Sequence, residues 1–162
     1  EICNEGLSVL VDTKQPIDNF GKLLGEQWKV KRELTDKISS KKIDSIYEAY
    51  QSPRSKYFIV EENNMIKGGA GICQLKNEAY EICELQKMYF DSMMRGKGLG
   101  SLMIEKCLNF AKENKFKICY IETMPNMLDA QKLYLKFGFK YIYFPMGNTG
   151  HFACPIWMIK SL

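Results

Sequence analysis

Glu84-Leu85-Gln86-Lys87-Met88-Tyr89-Phe90-Asp91-Ser92-Met93-Met94-Arg95-Gly96-Lys97-Gly98-Leu99-Gly100-Ser101 is the stretch whose reading decides the fold. Its first part completes a β-prone run that ends at Phe90. A short polar break follows, then glycines at alternate positions, Gly96, Gly98 and Gly100, interleaved with Arg95, Lys97 and Leu99. An amphipathic helix starts at once. Strand, glycine loop and helix start together form a cradle for an anion. Glycine lets the backbone turn tightly and present bare N–H groups. The first helical turn adds unpaired donors and the positive end of the helix dipole. Arg95 and Lys97 add full charges, so a phosphorylated ligand fits this chemistry.

Glycines between a strand and a helix also serve as a plain turn, so the spacing has to discriminate. The nucleotide P-loop, Gly-x-x-x-x-Gly-Lys-Ser/Thr, does not occur. The dinucleotide fingerprint needs Gly-x-Gly-x-x-Gly with an acidic residue about 20 positions on. This loop reads Gly-x-Gly-x-Gly after an arginine and matches neither. No carboxylate cluster of metal-binding spacing accompanies it, which excludes a nucleotide-dependent kinase or dehydrogenase.

The loop resembles the acyl-CoA loop of the GNAT N-acetyltransferase superfamily, Gln/Arg-x-x-Gly-x-Gly/Ala, with Arg95, Gly98 and Gly100 in its places. A second block of that family follows downstream as Ala130-x-x-Leu133-Tyr134-x-x-x-Gly138-Phe139. The two blocks stand in family order, separated by a helix and a strand. The resemblance runs from about Tyr57 to the C-terminus and weakly through the first 50 residues. It implies an α/β fold of the mixed α+β kind: a largely antiparallel sheet, parallel in the middle, with helices on both faces.

Composition agrees with one domain over residues 1–162. Apolar residues make up 46% of the chain, enough for a full core. Net charge is +4, from 23 basic and 19 acidic residues, and no basic stripe or nucleic-acid motif accompanies it. A positive cleft for an anionic cofactor accounts for that mild excess. The six cysteines form no Cys-x-x-Cys and stand beside a single histidine, so no metal site is expected. They read as reduced thiols of a cytoplasmic protein. No apolar run is long enough to span a membrane, and Glu1-Ile2-Cys3-Asn4-Glu5 has neither the basic flank nor the apolar core of a signal peptide.

Periodicity predicts strands over Leu7–Val11, Tyr57–Glu61, Ile66–Leu75, Ala79–Phe90, Phe116–Thr123, Phe139–Phe144 and Ile156–Lys160. Helices are expected over Ile17–Trp28, with Asp18 as a cap, and over Asp44–Tyr50, Gly98–Asn114 and Met127–Phe137. The third of these carries an apolar face of Leu99, Leu102, Met103, Cys107 and Phe110. Gly68, Gly69 and Gly71 predict a bulge or a close neighbour in the strand that holds them.

The resemblance also implies a chemistry: an amine attacks the acyl group of acetyl-CoA directly. The loop Arg95 to Ser101 (Arg95, Gly96, Lys97, Gly98, Leu99, Gly100, Ser101) would grip the pyrophosphate. The cofactor arm would pair with the backbone of Met88, Tyr89 and Phe90, and a bulge near Met88 would turn an N–H toward the acyl carbonyl. An alkyl ammonium has a pKa near ~10.4 and needs a base. Glu84, eleven residues before Arg95 on the central strand, fills that role by resemblance. Strict alternation would place Glu84, Gln86 and Met88 on one face. Tyr134 stands where the family keeps a tyrosine that protonates the departing thiolate. The family asparagine seven residues before it is Met127 here, and the neighbouring Asn126 is its expected substitute. His151 lies in a loop that borders the acceptor in the family. Cys154 lacks a Cys–His–Asp arrangement, and direct transfer needs no acyl-enzyme. The acceptor is a small-molecule or peptide amine, and pairing of final strands offers a route to a homodimer. The competing reading is a catalytically silent acyl-CoA sensor on the same fold.

Overall fold

The computed structural model describes residues 7–10, 50–62, 65–150 and 153–162. Its strands are β1 (Leu7–Leu10), β2 (Lys56–Glu62), β3 (Met65–Gln74), β4 (Ile82–Phe90), β5 (Ile118–Thr123), β6 (Lys140–Ile142) and β7 (Ile156–Ser161). Two helices, α1 (Leu99–Glu113) and α2 (Leu128–Lys136), follow β4 and β5. The strands form one sheet in the order β1-β2-β3-β4-β5-β7-β6. Among the described strands only β4 and β5 run parallel; α1 makes the crossover between them. The helices expected over Ile17–Trp28 and Asp44–Tyr50 lie outside the described residues, apart from Tyr50.

α1 forms where the apolar period is strongest. Leu99, Met103, Ile104, Cys107, Leu108 and Ala111 are buried along one stripe, the spacing of a helix face laid on a sheet. Leu102 was expected in that stripe; it lies at the exposed edge instead. The stripe packs on Phe58, Val60, Ala70, Ile72, Cys83 and Leu85, and Tyr134 and Phe139 extend the same cluster past β5. Both described helices therefore cover one face of the sheet. On the other face Leu75, Ile82 and Tyr120 form a smaller cluster with Trp157 and Ile159.

The long central strand begins at Ile82 rather than at Ala79. Asn77 takes a φ of 59° and the Ile82 N–H bonds back to Ala79 O at 2.9 Å, which keeps residues 77–81 in a turn. The strand expected over Phe139–Phe144 is cut to Lys140–Ile142, because Tyr143 and Phe144 leave the sheet exposed. Arg54 ties three elements together. Its guanidinium lies between the rings of Tyr80 and Phe116, 3.7 and 3.8 Å from their centroids. It also donates to Asn114 O at 2.9 Å, at the end of α1, and to Tyr80 O at 2.8 Å.

Candidate active site

The parallel pairing of β4 with β5 covers only Ile82↔Ile118, Cys83↔Cys119 and Glu84↔Tyr120. Beyond Glu84 the β5 strand continues beside β7 as far as Thr123↔Ile156, while β4 pairs only with β3 up to Phe90. The sheet thus opens in its middle, where β4 runs on past Glu84 without β5 beside it. The β3–β4 register jumps from Gly71↔Gln86 to Gly69↔Tyr89, so β4 carries one extra residue there. Lys87, with φ of 54°, is the distorted residue of this bulge.

The bulge resets the alternation of β4. Ile82 belongs to the cluster on one face, Cys83 and Leu85 to the core on the other, and Met88 and Phe90 pack against that same core. Strict alternation had put Glu84 and Met88 on one face. The extra residue moves Met88 to the opposite face, where its methyl lies near Gly100.

Glu84 is 5% exposed although it is a carboxylic acid. Burial pushes its carboxyl up to about 8; Glu122 adds to the rise, while Lys87 and Lys76 oppose it. Glu122 stands on β5 two residues beyond the register partner of Glu84. Tyr120 Oη donates to its Oε1 at 2.8 Å and Thr149 Oγ1 to its Oε2 at 2.9 Å. The loop between β6 and β7 is fastened beside this carboxylate pair. The Met146 N–H donates to Tyr120 Oη at 3.2 Å, the Gly147 N–H to Glu78 Oε1 at 2.9 Å and the Asn148 N–H to Lys76 O at 2.9 Å. Sequence reasoning missed Glu122, Tyr120 and Thr149. A charged residue inside the apolar run Ile118–Thr123 was the available signal.

At the other end of the opening, Asp91 caps a 3-10 turn over Ser92–Met94 by accepting from the Met93 N–H at 3.0 Å. Met94 is buried beneath the loop and Arg95, Gly96, Lys97 and Gly98 are exposed above it. Gly96 and Gly98 take φ values of 75° and 77°, and a Cβ at either would meet nothing within 4 Å. Backbone conformation, not crowding, demands glycine at these two positions. Gly98 is the N-cap of α1 and supplies no side-chain cap, and no acidic residue occupies the first turn. The N–H groups of Leu99, Gly100 and Ser101 lie at this uncapped start. Those features fit a pyrophosphate.

Tyr134 is 7% exposed, with its ring against Phe139 at 6.0 Å. Burial pushes its phenol up to about 12, with Cys119 adding to the rise, so it holds its proton at physiological pH. Tyr89, at the open end of β4, is likewise pushed up to about 12 by burial, then by Cys154 and Tyr134. Asn126 is exposed on the loop before α2, next to Met127, the N-cap of that helix. His151 lies outside the described residues. Burial raises the Cys154 thiol, and Glu122 and Glu84 raise it further, which disfavours a nucleophilic thiolate. Among the described residues no group of His, Cys, Asp and Glu is arranged to hold a metal, and no helix is long and apolar enough to cross a membrane.

A sheet split by one short parallel pairing, with a bulge beside the split and a bare glycine loop at its end, defines the architecture of an acyltransferase. Residues 22–139 match the model of the acetyltransferase (GNAT) family. The chain is 38% identical over 125 residues to an uncharacterized N-acetyltransferase, YjgM, of Escherichia coli (strain K12), covering 77% of this chain and 75% of that one. Its fold is similar to a GNAT-family acetyltransferase of Staphylococcus aureus Mu50, with TM-score 0.79 at 19% identity over 96% and 99% of the two chains. It is also similar to yncA of Salmonella typhimurium, a putative acetyltransferase solved with its cofactor acetyl-CoA, with TM-score 0.71 at 15% identity over 96% and 94%. The chain belongs to the GNAT acetyltransferase family and is an acyl-CoA-dependent N-acyltransferase.

Proposed function

We propose that this enzyme moves an acetyl group from acetyl-CoA to a primary amine by direct attack, with Glu84 as base and Tyr134 as acid. The observation that carries this reading is the opening above Glu84. The one parallel pairing among the described strands stops at that residue, and β4 runs on from there to the uncapped loop. Arg95, Gly96, Lys97, Gly98, Leu99, Gly100 and Ser101 hold the pyrophosphate through charge and bare amides. The backbone of Met88, Tyr89 and Phe90 holds the extended arm, and Asn126 adds a side-chain contact. When bound, acetyl-CoA supplies an activated acyl carbonyl and a thiolate leaving group. The Met88 N–H at the bulge donates to the acyl oxygen as charge develops there.

Glu84 accepts the proton that the acceptor's ammonium must lose. A base whose proton affinity lies near the working pH suits that task better than an ordinary carboxylate, and burial beside Glu122 supplies the rise. Tyr134 gives its phenolic proton to the departing sulfur. The Glu122 carboxylate beside Glu84, on the face opposite α1, favours an acceptor that arrives as a cation.

The test is thiol release from acetyl-CoA with a panel of amines, alongside thermal stabilisation by acetyl-CoA alone. Glu84→Gln and Tyr134→Phe should each lower the rate by about a hundredfold or more while acetyl-CoA affinity holds. Absence of any stabilisation by saturating acetyl-CoA would refute the reading. Stabilisation without turnover for any amine would favour a sensor.

A further inference from the structure

The hydroxyl of Tyr57 donates to the carbonyl oxygen of Lys87 at 2.7 Å. Lys87 is the residue with positive φ at the bulge of β4. Tyr57 stands on β2, two strands away, so its side chain must reach across β3 to make this bond. The β3 sequence clears the way. A Cβ at Gly69 would lie 2.5 Å from Tyr57 Cε1, and a Cβ at Gly71 would collide with Tyr50. Tyr50 in turn packs against Tyr57, with ring centroids 5.2 Å apart and planes tilted by 59°. The glycines that weaken β3 as a strand thus make a slot for two tyrosine rings.

The bond has a directional consequence. No peptide bond among the described residues is cis, so the Lys87 carbonyl and the Met88 N–H point opposite ways from one rigid plane. Holding the carbonyl toward Tyr57 aims the Met88 N–H away from β2 and β3. A non-glycine residue at positive φ persists only where its surroundings hold it. Tyr57 is 1% exposed and buried deeply enough that its phenol is pushed well up, so it remains a donor at any working pH.

We propose that Tyr57 is a positioning residue for the acyl group: through the Lys87 carbonyl it fixes the direction of the Met88 N–H, and with it the orientation of the bound thioester carbonyl. This rests on the reading of Met88 as the acyl-oxygen donor. Because Tyr57 acts through the bulge peptide, its effect should fall on the acyl end of the ligand.

The experiment compares the affinity of acetyl-CoA with that of free CoA by titration calorimetry, without an acceptor, in wild type and Tyr57→Phe. Wild type should prefer acetyl-CoA. The variant should lose about fivefold of that preference, the worth of one oriented hydrogen bond, while its affinity for CoA stays within about twofold. The Met88 amide proton, followed by NMR, should shift more with acetyl-CoA than with CoA in wild type and equally with both in the variant. Should Tyr57→Phe not fold, Lys87→Gly provides the comparison, because glycine adopts the positive φ without strain. Tyr57→Phe combined with Lys87→Gly should then show a smaller preference than Lys87→Gly alone. An unchanged preference in the Tyr57 variant, or a wild type that binds both ligands equally, overturns the proposal and leaves the acetyltransferase reading standing. A wild type that binds neither ligand overturns both.

Discussion

Replacing Glu84 by glutamine should uncouple the enzyme's stability from pH. A carboxyl raised from 4.5 to about 8 binds its proton more tightly in the folded chain than in the unfolded one. The stability it contributes is therefore complete below pH 4.5 and is lost as the pH climbs through about 8. At ~1.4 kcal/mol for each tenfold change in proton affinity, the loss between pH 5 and pH 8 is about 3 kcal/mol. Glutamine occupies the same volume, never ionises and pays no such penalty. In a chain of 162 residues each kcal/mol moves the melting point by about 2–4 °C. Wild type and Glu84→Gln should thus melt close together at pH 5. By pH 8 the variant should be ahead by roughly 6–12 °C. Circular-dichroism melts of both proteins at pH 5, 6.5 and 8 read this directly. A difference in melting point that stays constant across the range, or shrinks toward pH 8, would refute the account of a buried carboxyl with raised proton affinity. In the active protein the same group should make turnover climb with pH around a midpoint near 8.

Two further outcomes follow from particular contacts. Arg54→Ala removes two hydrogen bonds and a guanidinium held between two rings; denaturant titration should show a loss of about 2–4 kcal/mol. Arg54→Lys should recover less than half of it, since an ammonium cannot reproduce the planar stack. Gly98→Ala should cost about 1 kcal/mol in stability, because its Cβ meets no atom and only the φ of 77° is strained. If the loop's amides grip the cofactor, the same variant should weaken CoA binding, and an unchanged affinity would count against the cradle.

The parts of this protein legible from sequence are the contiguous ones. The glycine loop and the start of α1 lie within a few residues of each other, and an anion cradle of this kind is built by adjacent amides. The stripe of α1 and the alternation of β2 follow from periods of 3.6 and 2 that any chain must obey. Among the described residues the order of strands and helices was readable for the same reason. Boundaries slipped where a turn competed with a β-prone run, as over Ala79 to Glu81 and again at Tyr143.

What required the folded chain is whatever depends on register between strands distant in sequence. The pairing Glu84↔Tyr120 brings Glu122 up to Glu84 across 38 positions of chain. The extra residue at Lys87 sends Met88 to the opposite face, and Tyr57 reaches the Lys87 carbonyl past Gly69 of another strand. A one-residue shift in register inverts every side chain beyond it, and no local periodicity records such a shift. Sequence therefore specified the glycine loop, the helix that starts at it and the types of side chain along the central strand. The sheet alone decided which carboxylates are neighbours and which way the bulge peptide points, because both are set by hydrogen-bonded contacts between strands that composition and spacing leave open.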